Sequence, residues 1–251
     1  MSTPALLAVA PAWLARRDPR LRLLAALAFA GVVVSLEQPE VLALALTGAL
    51  ALALASGWAP RRLLARLLLL EGFMAVLLML LPFSVAGSLW FRLGPLEASR
   101  EGAWLALVIL LRAHAVVLAM LALLGTLEPP ALGHALARLR VPARLVHLLL
   151  FTVRYIAVVQ DEYRRLRLAM RARAFTPRSD RHTWRSLGYL VGMLLVRSLE
   201  RSRRVLAAMK CRGFDGRLYL LDDCRWGRAD SAWALAAAGV LAALVALERA
   251  L

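Results

Sequence analysis

The sequence predicts an all-α, multi-pass membrane protein with a pair of long, crossed cytoplasmic helices inserted before its last span. Three observations predict this fold class. Hydrophobic residues make up 61% of the 251 residues, and they cluster in runs that approach or exceed the length needed to cross a bilayer. The formal net charge of +16 is concentrated between the fourth and the fifth of these runs. A membrane domain with a basic, water-facing insert explains all three.

Five apolar runs are candidate transmembrane helices, because a helix needs about 20 apolar residues to cross a bilayer and about 17 as a lower limit. The runs occupy residues 21–36, 40–56, 63–83, 102–127 and 231–247. The first run is the shortest and crosses only with help from flanking residues that reach the membrane surface. We therefore expect a four-span membrane domain at 1–127, a cytoplasmic region with two long helices at 128–230 and a last transmembrane helix at 231–251.

Charges in the short loops predict the orientation of these spans. Four arginines between residues 16 and 22 lie before or at the start of the first run, whereas Glu37 and Glu40 follow it, and a mixed loop at 90–100 follows the third run. Positive loop residues are retained in the cytoplasm, which places the N-terminus inside. The basic region after the fourth run then also lies inside. We expect the protein in a bacterial inner membrane.

Within the predicted spans, the charged residues that stand out are Glu71 in the third and Arg112 in the fourth. A charge at the bilayer centre costs about 2.5–3.5 kcal/mol, so such residues indicate a function or a partner. They lie about 13 Å and about 21 Å from the inner ends of their helices. A long arginine side chain covers much of this difference, and we predict an internal Glu71–Arg112 pair. A transport path through these residues is one alternative, and a membrane-embedded enzyme site around both residues and His114 is another.

Two long amphipathic helices are predicted in the basic insert, at residues 143–173 and 184–210, from apolar residues at helical spacing. Pro142 precedes the first helix and Pro177 follows it, as expected of a helix opener and a helix stop. Gly188 and Gly192 in the second helix form a small-xxx-small pair. Such a pair lets two helices cross closely, although glycines that the helix merely tolerates are the alternative.

One basic motif occurs at the ends of both long helices. It reads Ala-Met-Arg-Ala-Arg-Ala-Phe at 169–175 and Ala-Met-Lys-Cys-Arg-Gly-Phe at 208–214. Arg173 and Arg212 are favourable against the helix dipole, so they could serve only as caps, with Gly213 as the left-handed residue that follows. Capping alone does not explain why Met and Phe recur around them. An arginine flanked by apolar groups resembles an anchor in a protein interface, and two copies suit a two-fold partner.

Several kinds of chemistry lack their sequence signals. The single lysine, Lys210, follows Ala-Ala-Met, so this chain has no Walker A sequence. The four histidines lack metal-ligand spacing and no serine elbow occurs, so we expect no cofactor, no metal site and no catalytic residue. Cys211 and Cys224 lack CxxC spacing and are expected to be reduced thiols. We also expect no nucleic-acid partner, because such binding does not require four apolar spans.

The resemblance to a known family rests on five segments spread over nearly the whole chain. They are Asp-Pro-Arg-Leu-Arg-Leu-Leu at 18–24, Leu-Arg-Val-Pro at 139–142, Arg-Tyr-Ile at 154–156, Arg-Ser-Leu-Glu-Arg at 197–201 and Ala-Met-Lys-Cys-Arg-Gly-Phe-Asp-Gly at 208–216. Together they resemble the transmembrane T component of energy-coupling factor (ECF) transporters, in the cobalt transport protein CbiQ family. The last segment is the most specific, and it is similar to the cobalt and nickel branch rather than the vitamin branch.

The resemblance implies a non-catalytic subunit of an ATP-driven transporter for cobalt or nickel, a function linked to cobalamin biosynthesis. The implied partners are two CbiO-like ABC-type ATPase subunits, a CbiM-like substrate-binding membrane component with or without a CbiN-like small subunit, and the lipid bilayer. Arg173 and Arg212 would dock into grooves of the ATPases. The implied docking set is completed by their neighbours, Met170, Ala172, Ala174, Phe175, Met209, Cys211, Gly213 and Phe214. A T component of a vitamin importer is the alternative.

Two residues depart from the family pattern in the docking motifs. Ala174 stands where the family usually has Gly or Ser, and Cys211 stands where it has Ala before the second arginine. Both replacements are small, so the resemblance implies that docking geometry is kept. The helix end after Arg173 nevertheless lacks the easy left-handed turn that Gly would provide.

Overall fold

The computed structural model describes residues 11–15, 17–85, 88–93, 96–215 and 227–250. These residues are mostly helical, as predicted, and they form two compact units. Unit 1 comprises Met1–Ala135 and Cys224–Leu251, and unit 2 comprises Leu136–Asp223. In chain order the elements are α1 (Ala12–Ala15), α2 (Pro19–Ser35), α3 (Pro39–Ala55), α4 (Pro60–Ser84), β1 (Leu89–Leu93), β2 (Leu96–Ser99), α5 (Arg100–Leu123), α6 (Pro129–Arg138), α7 (Ala143–Ala172), α8 (Arg181–Cys211) and α9 (Arg228–Ala250).

The five predicted spans lie in α2, α3, α4, α5 and α9 of unit 1. Prolines begin the first three of these helices, where a missing amide hydrogen costs nothing. Among the described residues, α5, α7 and α9 are long and apolar enough to cross a membrane, and α3 is a shorter apolar helix. The all-helical membrane architecture is thus confirmed, whereas the number of spans stays a prediction, because α7 also meets these criteria.

Helix α5 lies at the centre of unit 1, where it packs against α2, α3 and α4, while α9 packs against α2 and α3. The most extensive contact of α5 is with α3. The two helices meet along buried alanines, namely Ala45, Ala49 and Ala53 of α3 and Ala115, Ala119 and Ala122 of α5. In a membrane, small residues allow the close backbone approach that drives helix association.

The segment between α4 and α5 forms a two-stranded antiparallel hairpin rather than the loop that the sequence predicts. In it, β1 pairs with β2 from Leu93 opposite Leu96 to Leu89 opposite Ser99, with a register shift between Leu89 and Phe91. The strands were missed because five residues with one arginine give too short a pattern of alternation. Ser99 ends the hairpin and begins α5, since its hydroxyl accepts the amide of Gly102 over 3.1 Å.

Unit 2 contains the two long helices that the sequence predicts, α7 with 30 residues and α8 with 31. Glu162 and Arg197 form an ion pair between them. Beside it, the helices enclose an open groove of about 460 Å³ with mainly apolar walls. Side chains from both helices line this groove, among them Phe151, Tyr155 and Val158 of α7 and Leu194, Val205 and Met209 of α8.

The turn from α7 to α8 is closed by a capping residue at the start of α8. The carboxylate of Asp180 accepts the amide of Thr183 over 2.7 Å, and the hydroxyl of Thr183 accepts the amide of Arg178 over 3.1 Å. The first bond satisfies a donor that the first turn of a helix leaves unpaired, and the second holds the residues just before the helix. Hydrogen bonds from Thr183 also hold the pKa of Asp180 below its ordinary value.

Candidate functional site

The first copy of the repeated motif forms a Schellman cap at the end of α7. The amide of Phe175 donates to the carbonyl of Met170 over 3.1 Å, and the amide of Ala174 donates to the carbonyl of Arg171 over 3.0 Å. Ala174 has a φ of 59°, in the left-handed region that such a cap requires. Arg173 stands between the helix and this residue, with its side chain exposed.

The second copy forms the same cap at the end of α8. The amide of Phe214 donates to the carbonyl of Met209 over 3.0 Å, and the amide of Gly213 donates to the carbonyl of Lys210 over 3.0 Å. Gly213 has a φ of 80°. A Schellman cap is commonly accompanied by an apolar contact between the residues that occupy the Met and Phe positions. All four of these side chains are half-buried, so the cap gives a structural reason for their recurrence.

Arg173 and Arg212 occupy equivalent positions on these two helix ends, which we call the tips. Backbone hydrogen bonds already satisfy the carbonyls of Met170 and Arg171 in α7 and of Met209 and Lys210 in α8, so these carbonyls need no arginine as a partner. In the described part of the chain, neither guanidinium takes part in a hydrogen bond or an ion pair. Each is flanked by small exposed residues, Ala172 and Ala174 on one tip and Cys211 and Gly213 on the other. Each tip therefore presents five free N–H donors in a planar group.

Arg22 is a buried residue of unit 1, although the charge pattern predicts that it belongs to the loop before the first span. Arg22 is 3% exposed, and its Nε and Nη2 atoms donate to the carbonyl of Leu123 over 2.9 and 2.6 Å. The Nη2 atom also donates to the hydroxyl of Thr126. Leu123 is the last residue of α5, so Arg22 places a positive charge at the negative end of that helix. Arg22 lies in the segment at 18–24, which is one of the five segments of family resemblance, and this position is the sequence feature that points to a structural role.

A buried aspartate joins the N-terminal ends of α2 and α9. Asp230 is 5% exposed, and its Oδ1 atom accepts the backbone amide of Asp18 over 3.4 Å and lies 3.8 Å from Nη1 of Arg17. Its Oδ2 atom accepts the amide of Gly227 over 3.0 Å. No local sequence pattern indicates this partnership, because 212 residues separate Asp18 from Asp230.

Arg112 of α5 contacts the C-terminal end of α2, where its Nη2 atom donates to the carbonyl of Leu36 over 2.6 Å. Leu36 ends α2, so this arginine also acts at the negative end of a helix. The side chain of Glu71 lies outside the described residues, and the Glu71–Arg112 pair therefore stays a prediction. His114, the third member of the alternative enzyme site, has its Nδ1 atom 2.8 Å from the carbonyl oxygen of Leu110 in its own helix.

Glu248 complements Arg112 at the same turn. Its Oε1 atom accepts the backbone amides of Glu37 and Gln38 over 2.7 and 3.2 Å, just before α3 begins. A carboxylate is favourable at the positive end of a helix. The α2–α3 turn is thus held by an arginine at its carbonyl side and a carboxylate at its amide side.

The chain matches the family model of the cobalt transport protein CbiQ over residues 11–220, which include both tips. It belongs to this family. The cobalt transport protein CbiQ of Rhodobacter capsulatus is 30% identical over 152 residues, which cover 59% of this chain and 62% of that protein. An uncharacterized protein of Methanocaldococcus jannaschii is 28% identical over 154 residues, which cover 60% of this chain and 57% of that protein. The chain thus spans about three fifths of the length of these relatives.

Membership in the CbiQ family and the apolar helices make this chain a multi-pass membrane protein. Within the described residues there is no group of three or more His, Cys, Asp or Glu side chains that could hold a metal ion. Cys211 is a free, exposed thiol, and Cys224 lies outside the described residues. At Gly188 and Gly192, an added Cβ would meet no atom within 4 Å. Their predicted role in helix crossing is untested.

Proposed function

We propose that this chain is the T component of an ECF-type ABC importer for cobalt or nickel in a bacterial inner membrane, with its N-terminus in the cytoplasm. It transmits the ATP-driven motion of two CbiO-like ATPase subunits to a CbiM-like substrate-binding membrane component. The observation that carries this proposal is the pair of tips, in which the same backbone cap presents Arg173 and Arg212.

The duplication of the tip supports a partner with two equivalent binding sites. One exposed arginine at a helix end is common, but two that share cap geometry and flanking residue sizes suit the two grooves of an ATPase pair. Arginine is enriched among the residues that dominate interface energies. A hydrogen bond to a charged group contributes about 1.5–3 kcal/mol, so two such anchors supply a substantial part of a stable interface.

The chain depends on its partners for both energy and substrate recognition under this proposal. Without a Walker A sequence, it takes its energy from subunits that hydrolyse ATP, and it is itself a non-catalytic subunit. Cobalt is favoured as cargo by the family and by the name of the Rhodobacter capsulatus relative. The cargo would be bound by the separate membrane component. Identifying that component decides between a metal and a vitamin importer.

Reversing the charge of both anchors tests the proposal. The double variant Arg173→Glu with Arg212→Glu is expected to stay in the membrane but to lose the ATPase subunits. It removes two charged hydrogen bonds of about 1.5–3 kcal/mol each. Their combined loss should lower the affinity for the ATPase subunits more than about a hundredfold. Mild-detergent pull-down of the tagged chain, with quantitative mass spectrometry of the bound ATPase, measures this loss.

The matched control is Arg165→Glu with Arg203→Glu. These exposed arginines lie on α7 and α8, about 12 and 13.5 Å before the tips along the helix axes, and their reversal makes the same change in net charge. The control variant should retain the ATPase subunits in full. Equal retention by the two double variants, or equal loss from both, would show that the tips are not the docking elements.

A further inference from the structure

Arg22 contacts the end of α5, from which the chain runs towards unit 2. Residues 124–135 follow α5 and still belong to unit 1, and unit 2 begins at Leu136. Arg22 holds the start of this connection, because it binds the carbonyl of Leu123 and the hydroxyl of Thr126. Trp58 adds a bond two residues earlier, since its Nε1 atom donates to the carbonyl of Leu121 over 3.0 Å. The end of α5 is therefore fixed by side chains from elsewhere in unit 1.

Asp230 lies where the chain returns to unit 1, at the start of α9. It is held by the backbone amide of Asp18 and by the guanidinium of Arg17. Asp18 in turn begins α2, because its side chain accepts the amide of Arg20 over 2.9 Å. The return connection is thus tied to a segment that ends only a few residues before Arg22. One short stretch, residues 17–22, contacts both connections.

We infer that residues 17–22 form a clip that holds both connections, and that Arg22 and Asp230 are positioning residues for energy coupling. The inference rests on the proposed function, because it concerns how movement of the tips reaches the membrane helices. All force carried by the chain between the tips, which belong to unit 2, and the helices of unit 1 passes through these two connections. When a connection is held firmly, movement of the tips displaces α5 and α9. When it is loose, the connection bends and the two helices stay in place.

The burial of the clip explains why it is stiff. Arg22 is 3% exposed and Asp230 is 5% exposed, so neither charge can turn to water when its partner moves away. Removing one partner of a buried charge is far more costly than losing a surface ion pair. The acceptors of Arg22 also include the end of a helix, where the helix dipole strengthens the attraction. The end of α5 therefore stays attached to α2 during small displacements.

The test uses the complete transporter and compares uptake with hydrolysis. We expect Arg22→Gln and Asp230→Asn to keep the ATPase subunits and ATP hydrolysis, but to lower uptake of radioactive cobalt about tenfold or more, since a charged hydrogen bond is lost in each. Arg22→Lys, which keeps the charge and one donor group, should restore part of the uptake. The control is Arg61→Gln, which removes an exposed arginine and should leave uptake unchanged.

A second measurement on the chain alone is independent of transport. Amide exchange at residues 123–128 should become faster in Arg22→Gln, and exchange at 227–232 should become faster in Asp230→Asn, but neither should change in Arg61→Gln. Should the full variants fail to accumulate, Thr126→Val removes one acceptor of Arg22 and should reduce uptake more mildly. Wild-type uptake with retained ATPases in Arg22→Gln, or in Thr126→Val when Arg22→Gln does not accumulate, would overturn the clip. Loss of ATPases from the tip variant bears only on the proposed function.

Discussion

Reciprocal substitutions at the left-handed positions of the two tips test the cap geometry directly. Ala174 and Gly213 occupy the same place in the two caps, with φ angles of 59° and 80°. Ala174→Gly should make the α7 tip more stable, because it removes a Cβ from a left-handed residue. Gly213→Ala should make the α8 tip less stable for the opposite reason. An added Cβ at Gly213 would meet no atom within 4 Å, so the backbone conformation alone determines the effect.

The expected magnitude follows from two opposing contributions. The left-handed conformation costs a residue with a Cβ about 1–2 kcal/mol. The greater freedom of glycine in the frayed chain offsets about 0.4–1 kcal/mol of this difference. The net change is about 1 kcal/mol in each direction, which corresponds to about a fivefold change in the ratio of capped to frayed ends.

Hydrogen–deuterium exchange of the detergent-solubilised chain measures this ratio, because the amides of Phe175 and Phe214 donate the longer-range bond of each cap. The Phe175 amide should exchange about fivefold more slowly in Ala174→Gly, and the Phe214 amide about fivefold faster in Gly213→Ala. The unaltered tip in each variant is an internal control. Changes of the same sign in both variants, or no change at Phe214, would refute this account of the caps.

Two further predictions concern the rest of the fold. A Cβ at Gly125 would lie 2.5 Å from the carbonyl oxygen of Leu121 and 2.8 Å from Cζ2 of Trp58. Gly125→Ala should therefore lower the free energy of unfolding by about 1–3 kcal/mol in an SDS titration followed by circular dichroism, whereas Gly48→Ala, at an open site, should not. The lowered pKa of Asp180 means that its cap stabilises α8 above the ordinary aspartate pKa and is lost as the pH falls through the lowered value. Exchange in the first turn of α8, corrected for intrinsic rates, should accelerate at that pH, and Asp180→Asn should abolish this step.

Local patterns predicted most of the helices. The predicted helices at 143–173 and 184–210 differ from α7 and α8 by at most three residues at each end, because apolar periodicity and flanking prolines act within a few residues. The repeated motif also predicted two equivalent helix ends. The left-handed residue after α8 was expected at Gly213, whereas its counterpart at Ala174 was not, since the cap forms there despite a Cβ.

The contacts that hold the spans together could not be predicted from local patterns. Loop charge patterns place Arg22 among the arginines that precede the first span, yet Arg22 is buried because a helix carbonyl 101 residues away accepts its hydrogen bonds. Glu248 likewise acts on amides that lie 211 and 210 residues earlier. Such partners depend on the tertiary arrangement of the helices, which one sequence does not reveal.

The alanines between α3 and α5 have a mechanical consequence. An alanine side chain has no rotatable torsion between heavy atoms, so the six buried alanines of this contact cannot switch rotamers to accommodate a shift. Larger side chains would let one helix slide past the other through small rearrangements. At these six positions a displacement of α5 is passed directly to the backbone of α3, so we expect the two helices to move together.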